Sequence, residues 1–322
     1  MGEAMLWIGV GLVALVSGAE LLVRGGSALA ARLGISPLLI GLTVVAIGTS
    51  TPELAVGIDA ALQGDGALAV GNIAGTNTVN ILLILGMSAA LRPLAIRMQT
   101  LRLELPVIVI ASAAMLAFAW DGRLMRGEGL ALILMGVGFT FAVIRVARRE
   151  SLAVAEEFAR EYGRARLMNR QAAAEILMLT AGIAIIVAGA GWLVDGAVAL
   201  ARLWHVSEAF IGLTIVAIGT SAPELVTTII STMRGDRDIA IGNLIGSSAY
   251  NILLILGVIC LVPADGVEVS RQLVRVDIPV MLAVALACVP VFVSGRQVSR
   301  LEGGLFVSAY AVYLAYLIAA HA

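Results

Sequence analysis

The chain has 322 residues, 60% of them hydrophobic and only 13% charged, with a formal net charge of −1 and a mean hydropathy of +1.01. A water-soluble domain of this size needs far more surface charge, so the composition predicts a polytopic membrane protein. The charge balance excludes the basic footprint of a nucleic-acid binder, and Cys260 and Cys288, both in apolar runs, offer no disulfide framework.

In chain order, the first apolar run lacks the basic start of a signal peptide, carries Glu3 and leads into a repeated unit, so it is expected to be retained. A membrane-spanning helix takes about 20 apolar residues. Charged and Pro/Gly breaks divide the chain into ten such runs, near 5–31, 37–62, 67–91, 104–120, 127–147, 173–201, 208–232, 239–262, 274–294 and 301–320. The one long polar stretch, Arg148 to Gln171, spaces Ala155, Phe158, Ala159 and Tyr162 as a short amphipathic helix does. The expected organisation is a first five-helix repeat over 1–147, a cytoplasmic connecting loop over 148–171, and a second five-helix repeat over 172–322.

All 21 basic residues are arginines. With the central loop cytoplasmic, fifteen lie on that side, five on the other, and Arg24 falls inside the first run. The positive-inside bias then places both termini outside the cytoplasm, and the compact, arginine-only composition fits a prokaryotic inner membrane.

Shifted by 171 residues, Ile40–Leu54 (IGLTVVAIGTSTPEL) falls on Ile211–Leu225 (IGLTIVAIGTSAPEL) with thirteen of fifteen positions identical. The same shift lays Gly71–Gly86 on Gly242–Gly257 with ten of sixteen identical. Five spans per repeat is an odd number, so the second repeat must be inverted in the membrane. The fold class expected is an all-α membrane protein of ten transmembrane helices in two inverted five-helix repeats, with a substrate site near the midplane.

Each repeated segment carries a proline in mid-span, Pro52 and Pro223, which removes a backbone donor and frees the carbonyls of Gly48 and Gly219. Irregular backbone at this depth is tolerated where it lines a cavity or is buried in protein. Carbonyls of Ala46, Thr49, Ala217 and Thr220 are then expected to tilt inward. Beside each break stands a carboxylate, Glu53 and Glu224, at a cost of roughly 2.5–3.5 kcal/mol or more apiece at the bilayer centre. No lysine or histidine in these segments pairs with them, so a bound cation is the economical partner. Carboxylates, hydroxyls and carbonyls make an all-oxygen set suited to hard ions, calcium among them. Thr76, Asn77 and Asn80 in one repeat match Ser247, Ser248 and Asn251 in the other. The Gly71–Gly75 and Gly242–Gly246 spacings allow close helix packing.

Other charges read as structural. Glu20 and Arg24 are four apart and pair along one helix face. Asp195 aligns with Arg24 as an alternative partner, Asp59 sits near a helix end, and His205 and His321 lack metal-ligand spacing. Asn80 and Asn251 also suit interhelical hydrogen bonds, and a structural role for a single intramembrane glutamate is common.

Paired GTSxPE segments followed by GNxxG[ST]xxxN resemble the α-repeats of the calcium/cation antiporter superfamily, in its sodium/calcium exchanger branch. The resemblance covers all ten spans in organisation. It implies a calcium site of Glu53 and Glu224 with the main chain of Thr49 and Thr220. It also implies flanking sodium sites of Ala46, Ser221 and Thr76 on one side and Ala217, Ser50 and Ser247 on the other, with Asn80 and Asn251 lining the centre. Potassium-dependent members carry Asp where this chain has Asn251, so the resemblance implies potassium independence; Ser248 replaces a commoner Asn.

The function expected is exchange of Ca²⁺ for Na⁺ by alternating access, with the lipid bilayer and the ions as the only partners. No cofactor, nucleic acid or obligatory protein partner is expected. The long, Gly-rich first and sixth spans (Gly18, Gly25, Gly26; Gly189, Gly191, Gly196) are the expected gates. Proton-coupled exchange at the same glutamates is the nearest alternative, a passive cation channel a second, and an intramembrane enzyme a third that lacks a Ser–His or metal-binding set.

Overall fold

Within a bilayer every backbone donor and acceptor must be satisfied inside the protein, which favours long helices. The computed structural model describes residues 1–162, 170–204 and 217–321. Helix α1 (Gly2–Leu33) closes on Gly34 at φ 64°, a left-handed cap that glycine adopts without strain. Pro37 opens α2 (Pro37–Thr49), which stops at Ser50, and α3 (Thr51–Leu62) departs at 40°. There follow α4 (Gly66–Leu91), α5 (Thr100–Asp121) and α6 (Arg126–Tyr162). The second half comprises α7 (Arg170–Leu203), α8 (Ala217–Thr220), α9 (Ala222–Arg234), α10 (Arg237–Leu261), α11 (Leu273–Val293) and α12 (Arg300–His321). Among the described residues, eight helices are long and apolar enough to cross a membrane, or nine with the bent α2–α3 pair. The start of the run expected at 208–232, and His205, lie outside the described residues.

One local feature departs from the sequence reading. The polar stretch after Ala147 is not a separate short helix: α6 continues through it to Tyr162. The loops hold two small antiparallel ladders, Leu94–Ala95 with Gln297–Val298 and Arg123–Leu124 with Val267–Glu268. Leu94, Val298, Leu124 and Val267 are buried, so each ladder tucks its apolar residues under the helix ends.

The core is built on α4 and α10, whose most apolar windows are 78% and 83% buried, against 17% for α12. Both carry a π-helical stretch at matched positions, Val79–Leu85 and Asn251–Leu256. Gly242 and Gly246 pack α10 against α2: a Cβ at Gly242 would meet Leu38 O at 2.7 Å, and one at Gly246 would meet Leu42 O at 2.7 Å. Around this core, α1 and α7 lie antiparallel and touch backbone to backbone. Their contact runs on glycines seven apart, Gly11, Gly18 and Gly25 against Gly189, Gly182 and the Glu175 carbonyl, with Gly196 against Ala4. Of the glycines expected in the gate, Gly191 faces open space instead.

Candidate functional site

The two broken segments meet at the centre. Ser50 and Ser221 adopt nearly the same conformation, φ −84°, ψ 12° and φ −84°, ψ 1°, so each interrupts its span at the same point. Each following helix begins with a Pro in its first turn and a Glu after it. The first-turn glutamates therefore point where helix N-termini favour negative charge.

Glu53 and Glu224 are both fully buried. Glu224 Oε1 accepts hydrogen bonds from Ser50 Oγ at 3.0 Å and Ser247 Oγ at 3.4 Å, one from each repeat. Glu224 Oε2 and both oxygens of Glu53 have no hydrogen-bond partner among the described residues. A buried ionised carboxylate without a partner is strongly disfavoured, so these oxygens require a cation or a proton. Among the described residues, no three His, Cys, Asp or Glu side chains gather; the remaining oxygens come from hydroxyls, amides and main chain.

Of the other expected residues, Ala46, Thr49, Ser50, Thr76, Asn80, Thr220, Ser221, Ser247 and Asn251 are all buried. Ala217 begins α8, and its side chain lies outside the described residues. The Thr76 hydroxyl, both amide atoms of Asn80 and Asn251 Oδ1 lack partners among the described residues. Asn251 Nδ2 donates to Asn77 Oδ1 at 3.2 Å, and Asn77 Nδ2 donates to the Ser248 carbonyl at 3.1 Å. Asn80 and Asn251 each sit at the start of a π-helical stretch, a distortion frequent at functional sites.

The freed carbonyls behave differently from expectation on one side. The Gly48 carbonyl accepts from the Thr51 hydroxyl at 2.9 Å, so that group is already satisfied. Ala222 stands at the matching position and has no hydroxyl to offer Gly219. The Ala46 carbonyl accepts from Ser50 N at 3.1 Å and from Ser247 Oγ at 3.4 Å, which holds it at the repeat interface.

Two residues were missed as site components, Asn72 and Asn243. Thr49 Oγ1 donates to Asn243 Oδ1 at 3.1 Å, and Thr220 Oγ1 to Asn72 Oδ1 at 3.5 Å, so each Asn reaches the Thr of the opposite repeat. The available signal was their place at the same offset inside the repeated GN motif. Glu20 pairs with Arg24 at 2.7 Å as expected, so Asp195 is not the partner. Unforeseen, Arg234 at the end of α9 also reaches Glu20, Nε to Oε2 at 2.6 Å.

A many-helix membrane protein whose buried centre holds two carboxylates among neutral oxygens has the build of a cation antiporter, not of an enzyme. The model of the sodium/calcium exchanger protein family matches residues 3–145 and 174–319, and the chain belongs to that family. It is 37% identical to the inner membrane protein YrbG of Escherichia coli (strain K12) over 314 residues, 96% of this chain and 94% of that one. It is 31% identical to the sodium/calcium exchanger MaX1 of Methanosarcina acetivorans over 340 residues, 96% of each chain. Among solved structures, the sodium-calcium exchanger NCX_Mj soaked with Na⁺ and Ca²⁺ superimposes with a TM-score of 0.84 at 25% identity, covering 97% of each chain.

Proposed function

We propose that this protein exchanges Ca²⁺ for Na⁺ by alternating access, at a midplane site built on Glu53 and Glu224. The observation that carries the reading is the pair itself: two fully buried carboxylates at matched positions, with three of their four oxygens lacking hydrogen-bond partners among the described residues. Calcium takes about 6–8 oxygens. Two carboxylates with the main chain of Thr49 and Thr220 supply a calcium set, and Asn80 and Asn251 line the centre. Sodium is held on one side by Ala46, Ser221 and Thr76 and on the other by Ala217, Ser50 and Ser247.

The architecture in this reading is ten spans in two inverted repeats in a cell (inner) membrane, with both termini outside the cytoplasm. The loop ladders support that topology. Residues 94–95 and 297–298 fall in loops that it puts on the cytoplasmic side, and 123–124 and 267–268 in loops that it puts outside. The antiparallel α1–α7 pair is the moving unit. An empty site with both glutamates charged resists crossing the membrane, which couples the two ion movements.

Radioactive calcium uptake into proteoliposomes tests this. Uptake from sodium-loaded vesicles, lost in E53Q and E224Q, is expected; undiminished uptake in either variant overturns the site. Uptake driven by acid loading and not by sodium assigns proton/calcium exchange to the same residues, and uptake without either gradient a channel.

A further inference from the structure

The two halves of the molecule differ along the helices that follow the glutamates. On α9, Thr227, Thr228, Ser231 and Thr232 occupy the face carrying Glu224, at steps of three, four, seven and eight residues. All four are fully buried. The matching residues on α3 are Val56, Gly57, Ala60 and Ala61, without a hydroxyl among them. Across from these helices the contrast repeats. A Cβ at Gly57 would lie 2.2 Å from Ile259 of α10, so that half is closed by an apolar side chain seated on a glycine. The residue 171 positions before Ile259 is Ser88 of α4, fully buried, and α9 packs along Val79–Leu91 of that helix.

Several of these hydroxyls have a local explanation and several do not. Ser231 Oγ donates to the Thr227 carbonyl at 2.8 Å, and Thr228 Oγ1 accepts from Asn243 Nδ2 at 3.1 Å. The hydroxyls of Thr227, Thr232 and Ser88 lack any hydrogen-bond partner among the described residues. A buried hydroxyl left unpaired costs stability; two of the four on α9 are left so, with Ser88 across from them, and the face that carries them begins at a carboxylate, an arrangement that suits a ligand. By helical rise the row runs about 12 Å from Glu224 toward the Arg234 end of α9. It contains neutral oxygens only, which suit a hard cation of single charge with its water and give a divalent ion no compensating charge.

We propose that the hydroxyl face of α9, with Ser88, is a waiting site for a small monovalent cation on its way to or from Glu224, present on one side of the membrane only. The proposal rests on reading Glu224 as a cation ligand. Single cysteines test it against the parent protein, whose Cys260 and Cys288 set the background labelling. A small, positively charged methanethiosulfonate reagent is expected to modify S231C and T232C and to leave their counterparts A60C and A61C unmodified. Sodium is expected to slow the modification and choline not to. Equal reactivity at all four positions, reactivity at none, or no slowing by sodium overturns the proposal; slowing by calcium alone overturns its monovalent character. If the cysteine variants do not assemble, the double variant S231A/T232V replaces them: weaker apparent sodium affinity supports the site, and an unchanged sodium dependence overturns it. Failure of the antiport reading is distinguishable, since it appears as calcium uptake persisting in E53Q and E224Q whichever cysteines react.

Discussion

Ser50 donates its hydroxyl to Glu224 across 174 residues of sequence, at 3.0 Å, so the carboxylate of the second half is held by a hydroxyl of the first. Hydrogen bonds to charged groups contribute about 1.5–3 kcal/mol. Ser50→Ala is therefore expected to weaken apparent calcium affinity by roughly ten- to a hundred-fold, with little change in folding. Calcium titration of uptake rates against the parent protein measures this.

Acid is expected to oppose calcium. Protons and cations neutralise the same carboxylates, so the two compete, and falling pH raises the calcium concentration needed for half-maximal uptake. Maximal uptake at saturating calcium should change less. An apparent calcium affinity that does not move with pH would remove the carboxylates from the site.

The α1–α7 contact gives a prediction about shape. A Cβ at Gly189 would meet Leu15 N at 2.9 Å, whereas one at Gly191 meets nothing within 4 Å. Overpacking costs about 1–3 kcal/mol, while Gly to Ala in an open helical position gains up to about 1 kcal/mol. Gly189→Ala should lower the melting temperature in detergent and slow exchange; Gly191→Ala should do neither.

The two cross-repeat asparagines should differ in importance. Asn243 is fully buried and serves both Thr49 and Thr228, at 3.1 Å each, while Asn72 is half-buried and meets Thr220 at 3.5 Å. Leaving buried partners unsatisfied costs about 1–3 kcal/mol. Asn243→Leu is expected to destabilise the protein more than Asn72→Leu, as thermal unfolding of the two variants would report.

Much of this was legible in the sequence because its causes are local. Apolar run length announced the helices, Pro52 and Pro223 the breaks, and the 171-residue offset the pairing of Glu53 with Glu224. The continuation of α6 to Tyr162 was missed because polar residues in helical spacing end an apolar run without ending a helix. The Gly48 carbonyl was read as free because the sequence places Thr51 beside it without saying which way its hydroxyl turns.

By itself, then, the sequence determined the solvent, the repeated unit, the position of each break and the two buried carboxylates, since each follows from hydrophobicity, proline geometry or identity at a fixed offset. Only the tertiary structure decided which oxygens meet. The bonds from Ser50 to Glu224, Thr49 to Asn243 and Arg234 to Glu20 join residues 174, 194 and 214 apart, and no periodicity encodes a contact at that separation. It also decided that glycines seven apart bring α1 and α7 into backbone contact, and that one half closes on Ile259 where the other keeps a row of hydroxyls. Packing of whole helices sets these outcomes, because a side chain's partner in a membrane core is fixed by the neighbouring helix rather than by its own.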